Sequence, residues 1–328
     1  MLVSVVIPCH NSLRYLPETL DSVLEQRLPS DVELEVVLVD DGGDDDLGAW
    51  VATRAGESGD DRVRCIRQEN TGVAGARNRG IEESSGDMVC FCDSDDLWVP
   101  TTVADLLACF DRDPDIGLAY GWYEVVDGDG APTGAVRSSD LEGWAWERLV
   151  TENPVGASGV MVPRSVLDEV GVFEVNRDRF RIDVEDWELW IRIAADHRIG
   201  LAPTVVYRYR RHDSNSSSDV ASIEAAYAHL FDVVFDGVST ERARLRPEAE
   251  ARADQILAWQ ALNDRQDPAM SLEYLARGVR KWPELKRRPD YWRLRAAATA
   301  LRATGARGYS AVRSANGAAR KLRSRLGR

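Results

Sequence analysis

The chain has 328 residues, 29% of them charged, and a net charge of −14 at pH 7. Such a length buries the core of one large domain or two smaller ones, while so acidic a balance excludes wholesale nucleic-acid binding, which demands a basic footprint. No apolar run approaches a membrane span, and the first residues lack the basic start and cleavage site of a signal peptide. The five cysteines have no metal-type spacing and are expected to be reduced, buried thiols of a cytoplasmic protein.

In chain order, Val3 to Ile7 is a β-branched run suited to a strand covered on both faces. After a polar turn at His10, Asn11 and Ser12, Pro17 opens a helix on which Leu16, Leu20, Val23 and Leu24 recur at helical spacing. Glu33 to Val39 is the second strand, ending in Asp40-Asp41-Gly42-Gly43. Leu47 to Ala55 is a short helix, Val63 to Arg67 a third strand, and Val73 to Ser84 a helix. Met88 to Cys92 is a fourth strand that stops in Asp93-Ser94-Asp95-Asp96. Strands alternating with helices predict an α/β fold with a doubly wound, mostly parallel, Rossmann-like sheet. Ligands of such sheets bind beyond the carboxyl ends of the strands, where these polar residues gather.

Three carboxylates packed after the fourth strand repel one another unless positive charge sits among them. Oxygen ligands suit Mg²⁺ or Mn²⁺. A solvated acidic turn is the plainer alternative. No dinucleotide fingerprint and no Walker-type loop follow the first strand.

Four motifs occur in order: Val-Ser-Val-Val-Ile-Pro-x-x-Asn from Val3, Val-Asp-Asp-Gly from Val39, Asn-x-Gly-x-x-x-Ala-Arg-Asn-x-Gly from Asn70, and Asp-Ser-Asp-Asp-x-Trp-x-Pro from Asp93. Together they resemble family 2 of the inverting nucleotide-sugar glycosyltransferases, which have the GT-A fold. That resemblance implies a donor site of Pro8, His10, Asn11, Asp40, Asp41, Arg77, Asp93 and Ser94. Asp41 would accept from the imide N–H of uracil or thymine, and Asp40 would serve the ribose or cap the next turn. His10 stands where relatives often stack a tyrosine on the base. Arg77 would pair with a diphosphate oxygen or with the Asp cluster. Asp95 resembles the direct metal ligand, with Asp93 nearer the ribose or a metal-bound water, and Trp98 and Pro100 would fix the loop.

Further on, a helix ends near Asp113, Ile116 to Val126 reads as a strand, Asp127 to Thr133 as a loop, and a short helix lies between Trp146 and Asn153. Ser158 to Arg164 is a strand and Ser165 to Val170 a capped helix ending at Gly171. Trp122, Trp144 and Trp146 are candidates for a sugar-stacking platform, with core packing as the alternative; Trp187 is a further acceptor candidate. Trp187, Trp190, Ile191 and Ala194 recur at helical spacing behind Glu185 and Asp186, acids that a helix N-terminus favours in any case. Glu-Asp before a Trp-rich helix resembles the family's catalytic base motif, which makes Asp186 the base and leaves Glu185 to orient the acceptor. Val205 to Ser216 is a strand leaving through a polar loop, in which the resemblance makes His212 a candidate metal or phosphate contact.

The last third shows four helical stretches, from Ala221 to Phe235, Glu241 to Asp264, Pro268 to Trp282 and Pro289 to Ala303. Trp259, Leu262, Leu272, Tyr274 and Leu275 mark their apolar faces, suited to covering the catalytic domain or forming a homodimer. From Arg280 onward basic residues are opposed only by Glu284 and Asp290. The tail places Val312, Ala315, Ala319, Leu322 and Leu326 on one stripe, suited to peripheral contact with an anionic membrane or to a solvated tail. The expected division is 1–218 for the transferase domain (donor half 1–100, acceptor half 101–218), 219–306 for a helical extension and 307–328 for a basic tail.

The implied function is a metal-dependent inverting transfer of a sugar from a UDP- or dTDP-sugar to a glycan or lipid-linked sugar, a hexosyltransferase-type step of polysaccharide biosynthesis at the cell envelope. A sugar-1-phosphate nucleotidyltransferase is the alternative enzyme, and a non-catalytic carbohydrate-binding relative the alternative without chemistry.

Overall fold

A computed structural model describes residues 1–58, 60–175, 184–212 and 220–305. The chain divides into two compact units, Met1–Asn215 and Ser216–Arg328. The basic tail at 307–328 and the polar loop at 213–219 lie outside the described residues.

The first unit begins with β1 (Leu2–Cys9), α1 (Leu16–Leu24), β2 (Glu33–Asp40), α2 (Leu47–Ser58), β3 (Val63–Arg67), α3 (Gly72–Glu83) and β4 (Met88–Phe91). β3, β2, β1 and β4 lie side by side and all run parallel. Their apolar residues alternate between two layers because successive side chains of a strand point to opposite faces. Val36 and Leu38 join Leu16, Leu20 and Leu106 in one core, while Val37 and Val39 pack with Ala76 in another. A Cβ on Gly80 would come within 2.1 Å of a Val6 methyl, so this glycine lets α3 lie directly on β1.

The unit continues with β5 (Leu97–Trp98), α4 (Thr102–Arg112), β6 (Ile116–Val126), β7 (Pro132–Arg137), α5 (Trp146–Leu149), β8 (Val160–Pro163), α6 (Arg164–Val170), α7 (Glu185–Asp196) and β9 (Arg198–Arg210). Beyond β4 the order runs β8, β6, β9 and β5, with β7 paired to β6. Here β6 and β9 are parallel and the other ladders antiparallel, giving one nine-stranded mixed sheet among the described residues. Part of the segment expected as a loop therefore belongs to β7; Gly130 in the connection before it and Gly134 within it take positive φ. Helix α6 ends at Gly171 as expected, but Ser165 is not its cap: the helix starts at Arg164 behind Pro163, without a side-chain cap.

The second unit is helical: α8 (Val220–Val234), α9 (Thr240–Ala243), α10 (Arg246–Asn263), α11 (Pro268–Lys281) and a last helix over 289–305. The stretch expected as one helix from Glu241 is broken at Arg244 and Leu245, and α10 starts at Arg246 with Pro247 in its first turn. Small residues line the α10–α11 contact; a Cβ on Gly278 would meet the Ala251 carbonyl oxygen at 2.9 Å. Buried Asp254 is answered there by Arg277 and Lys281. Leu262, Tyr274 and Leu275 are buried as expected, whereas Trp259 is 42% exposed and stands off the core face.

Candidate active site

The carboxyl ends of β1, β2 and β4 lie along one sheet edge as the doubly wound reading requires, and the loops after β1, β2 and β3 are tied to one another. Asn11, at φ 53°, accepts the Asp44 N–H on Oδ1 at 2.7 Å. A Cβ on Gly43 would meet the Asn11 nitrogen at 2.8 Å, and one on Gly42, at φ +72°, the Asn70 nitrogen at 2.9 Å. The paired glycines are what let the loops after β1, β2 and β3 converge.

Both carboxylates after β2 are buried and engaged. Asp40 accepts from Arg67 Nη1 at 2.7 Å and from Gly43 N–H at 3.2 Å, the turn-capping role. Asp41 accepts from Gln68 Nε2 at 2.7 Å and from the Thr71 and Gly72 N–H groups, each at 2.8 Å. Asp41 thus binds the N-terminus of α3, where a helix presents unpaired N–H groups. The His10 ring is exposed, with Nδ1 3.1 Å from the Asp41 carbonyl oxygen. Pro8 lies within β1, paired with Val39.

After β4 the three carboxylates separate into different roles. Asp96 is buried and accepts from Ser158 Oγ at 2.5 Å and from the Arg210 N–H at 2.9 Å. Asp93 and Asp95 keep side-chain exposures of 35% and 27%, enough to meet a ligand. Asp95 Oδ2 lies 2.8 Å from His212 Nε2, and burial together with the Asp93 charge raises its pKa above the usual range. The Ser94 carbonyl accepts from Thr19 Oγ1 at 3.0 Å. Trp98 is buried, its indole N–H donating to the Ser158 carbonyl at 2.5 Å, so it fixes the loop as expected.

Arg77, on α3, is 3% exposed. Its Nη2 donates to Asp93 at 2.7 Å and its Nη1 to Glu185 at 2.6 Å, with the face of Phe173 5.4 Å away. The contact with Asp93 is one of the two partnerships expected of it. Glu185, expected to orient an acceptor, is instead 5% exposed and turned onto this guanidinium. Next to it, Asp186 accepts from the Trp187 N–H on Oδ1 at 2.5 Å. Burial, reinforced by the Glu185 charge and opposed by Arg77, pushes the Asp186 carboxyl up to about 8.

The tryptophan platform is corrected. Trp146 and Trp187 are buried, and the Trp187 indole N–H donates to the Leu149 carbonyl at 2.7 Å, so both are core residues that offer no face to a sugar. Trp122 is half-buried and donates to the Ser139 carbonyl at 2.9 Å. Trp144 is 67% exposed, on a loop pinned by a bridge between Gly143 and Ile199. That bridge sits at the start of β9, whereas His212 follows its end.

Among the described residues, no group of three or more His, Cys, Asp or Glu side chains forms a ready metal sphere. Asp95 and His212 nonetheless fit a cation that completes its shell with water and substrate phosphates, as Mg²⁺ usually does. Sequence reasoning missed Ser158, which accepts the Asp93 N–H at 3.0 Å, and Arg210. Arg210 had one available signal: two residues before His212 at a strand end, it shares its parity.

Residues 4–156 match the family description "Glycosyl transferase family 2". An uncharacterized glycosyltransferase of Nostoc sp. is 31% identical over 68% of this chain and 68% of its own. An Escherichia coli protein, UDP-Glc:alpha-D-GlcNAc-diphosphoundecaprenol beta-1,3-glucosyltransferase WfgD, is 25% identical over 74% of this chain and 89% of its own. The chain spans only 27% of an uncharacterized glycosyltransferase of Rickettsia bellii, at 27% identity over 60% of this chain. In fold, it resembles residues 1–349 of S. aureus TarS in complex with UDP-GlcNAc, with TM-score 0.62, 20% identity, and 97% and 92% of the two chains covered. It also resembles the Pyrobaculum calidifontis mannosyltransferase PcManGT in complex with GDP-Man and Mn²⁺, with TM-score 0.59, 20% identity, and 96% and 86% covered. With the four motifs folded onto one sheet edge and a curated relative above 30% identity, the chain belongs to glycosyl transferase family 2 and is a transferase of GT-A fold.

Proposed function

We propose that the chain is a metal-dependent inverting glycosyltransferase that takes a UDP- or dTDP-sugar, with Asp186 as general base and a hydroxyl of a glycan or lipid-linked sugar as acceptor. The observation that carries this reading is the chain Asp93–Arg77–Glu185, which ties the first turn of α7 to the acidic end of β4. The base is thereby anchored to the carboxylates that would face the donor diphosphate.

The acceptor oxygen attacks the anomeric carbon as its proton passes to the Asp186 carboxylate, whose Oδ1 is oriented by the Trp187 N–H. A carboxyl raised to about 8 is a stronger base than an ordinary aspartate and is matched to work near neutral pH. The bond to the nucleoside diphosphate breaks on the opposite face, so one displacement inverts the anomeric configuration. Asp95, His212 and Asp93 would hold Mn²⁺ or Mg²⁺, which when bound supplies Lewis-acid charge to the departing diphosphate. Asp41 holds the α3 terminus through Thr71 and Gly72 and would present its remaining acceptor capacity to the base.

A uridine donor is supported by the names of the Escherichia coli relative and the TarS complex, and a lipid-linked acceptor by the former. Family membership disfavours the nucleotidyltransferase and the non-catalytic alternatives. The reaction is assigned to the first unit, with 219–306 as a helical extension. Among the described residues no helix is long and apolar enough to cross a membrane. Contact with lipid or a second copy would fall to the extension and the tail.

Calorimetry of the full chain with UDP, GDP and dTDP, each with and without Mn²⁺, tests the reading. Metal-requiring binding of UDP or dTDP is expected. Folded protein that binds none of the three would overturn it.

A further inference from the structure

Arg210 closes β9 beside the Asp95–His212 pair and is 1% exposed, so its charge has to be answered inside the protein. Separate stretches of chain answer it. Nε donates to the Asp95 carbonyl at 2.8 Å, Nη1 to the Gly128 carbonyl at 3.1 Å, and Nη2 to Glu18 Oε2 at 2.7 Å. Its own N–H donates to Asp96 at 2.9 Å. The guanidinium also lies 4.9 Å from the centroid of Tyr15, and the same ring stacks on His212 at 4.7 Å and 22°.

Arg210 therefore reaches both halves of the pair, Asp95 through its backbone and His212 through the Tyr15 ring. We propose that Arg210 is the positioning residue of the cation and diphosphate site: its planar fork sets where the Asp95 carboxylate stands and, with Tyr15, the plane of the His212 imidazole. The proposal rests on the reading of Asp95 and His212 as cation-holding groups. Geometry rather than charge is what Arg210 contributes, because a lysine ammonium would keep the charge but not donate in the three fixed directions used here.

The test is titration of Mn²⁺ into the full chain at saturating UDP, read by calorimetry and by the electron paramagnetic resonance of free Mn²⁺. Circular dichroism verifies that each variant is folded. Residues that orient metal ligands typically change metal affinity about 10–100-fold, so Arg210→Lys and Arg210→Gln should each weaken Mn²⁺ by about tenfold or more. Arg210→Gln combined with His212→Ala should lose less affinity than the two single losses add up to, because the part of the Arg210 effect that runs through His212 is then already gone. Glu18→Ala, which removes the acceptor at a side chain 65% exposed, should shift affinity in the same direction by less, without disturbing the core.

Native-like Mn²⁺ affinity in Arg210→Lys would overturn the proposal. So would effects of Arg210→Gln and His212→Ala that simply add, the pattern of a general structural role. If the Arg210 variants do not fold, Glu18→Ala decides, and unchanged affinity there counts against the proposal. A native chain that binds no Mn²⁺ with UDP, GDP or dTDP overturns the underlying reading and the proposal with it. That outcome is distinguishable because the unmodified protein itself is then silent.

Discussion

Arg77 and Glu185, 108 positions apart in the chain, form a 2.6 Å ion pair in the interior of the first unit. A buried pair of this kind is weak evidence for net stability, yet breaking it from one side leaves an uncompensated charge. Arg77 also holds Asp93, so its loss would leave two carboxylates close to Asp186 without their cation.

Arg77→Met should therefore destabilise the first unit by about 3–5 kcal/mol in denaturant unfolding at neutral pH. A loss below about 1 kcal/mol would mean that the pair does not hold α7 to α3.

Asp186 sets the pH dependence. Its folded pKa, raised to about 8, lies above the ordinary aspartate value, so the native chain binds a proton that the unfolded chain releases. The stability linked to this group is fully present below the unfolded pKa, near 4, and is lost as pH rises towards 8. Asp186→Asn should therefore be more stable than the native chain at pH 7, by a margin that is small near pH 4 and levels off above 8. Melting curves over that range check the sign.

The same carboxyl must be ionised to accept a proton. Single-turnover transfer should rise with pH on an acidic limb that bends near 8, and Asp186→Asn should abolish the limb and lower the rate by about 10²–10⁴ while donor binding persists. Retained transfer in this variant would remove Asp186 from its role.

Gly42 is placed at φ +72° with the Asn70 nitrogen in the space of a side chain. Gly42→Ala should cost about 1–2 kcal/mol from the left-handed conformation alone, and should weaken nucleotide binding by displacing the loop after β3. Equilibrium unfolding and UDP titration measure the two effects.

Metal removal offers an independent check. Chelation with EDTA should abolish nucleotide-dependent transfer reversibly, and Asp95→Ala should reproduce that loss at any Mn²⁺ concentration without lowering the melting temperature. Full activity in EDTA-treated protein would contradict the metal-dependent reading.

The alternation of strands and helices in the first hundred residues is legible from the residues alone. β1, β2 and β4 are largely β-branched or apolar, β3 alternates apolar residues with arginines, and every turn carries its own glycine, proline or Asp signal, so local physics suffices. Equally legible are the acidic residues that follow β2 and β4 and begin α7. Which carboxylates face solvent was decided only in three dimensions. Asp93, Asp95 and Asp96 are equivalent in a local reading, but it is the Asp96 carboxylate that accepts from the Ser158 hydroxyl and the Arg210 N–H and is buried. The tryptophans divided in the same way: helical spacing does not distinguish a core indole from a stacking platform, and burial assigned Trp146 and Trp187 to the core while leaving Trp144 exposed. Arg77 and Arg210 acquired their partners from segments remote in the chain. An arginine's role depends on the carboxylates and carbonyls that the fold brings within 3 Å, and long-range pairing leaves no periodic signal in the residues around it.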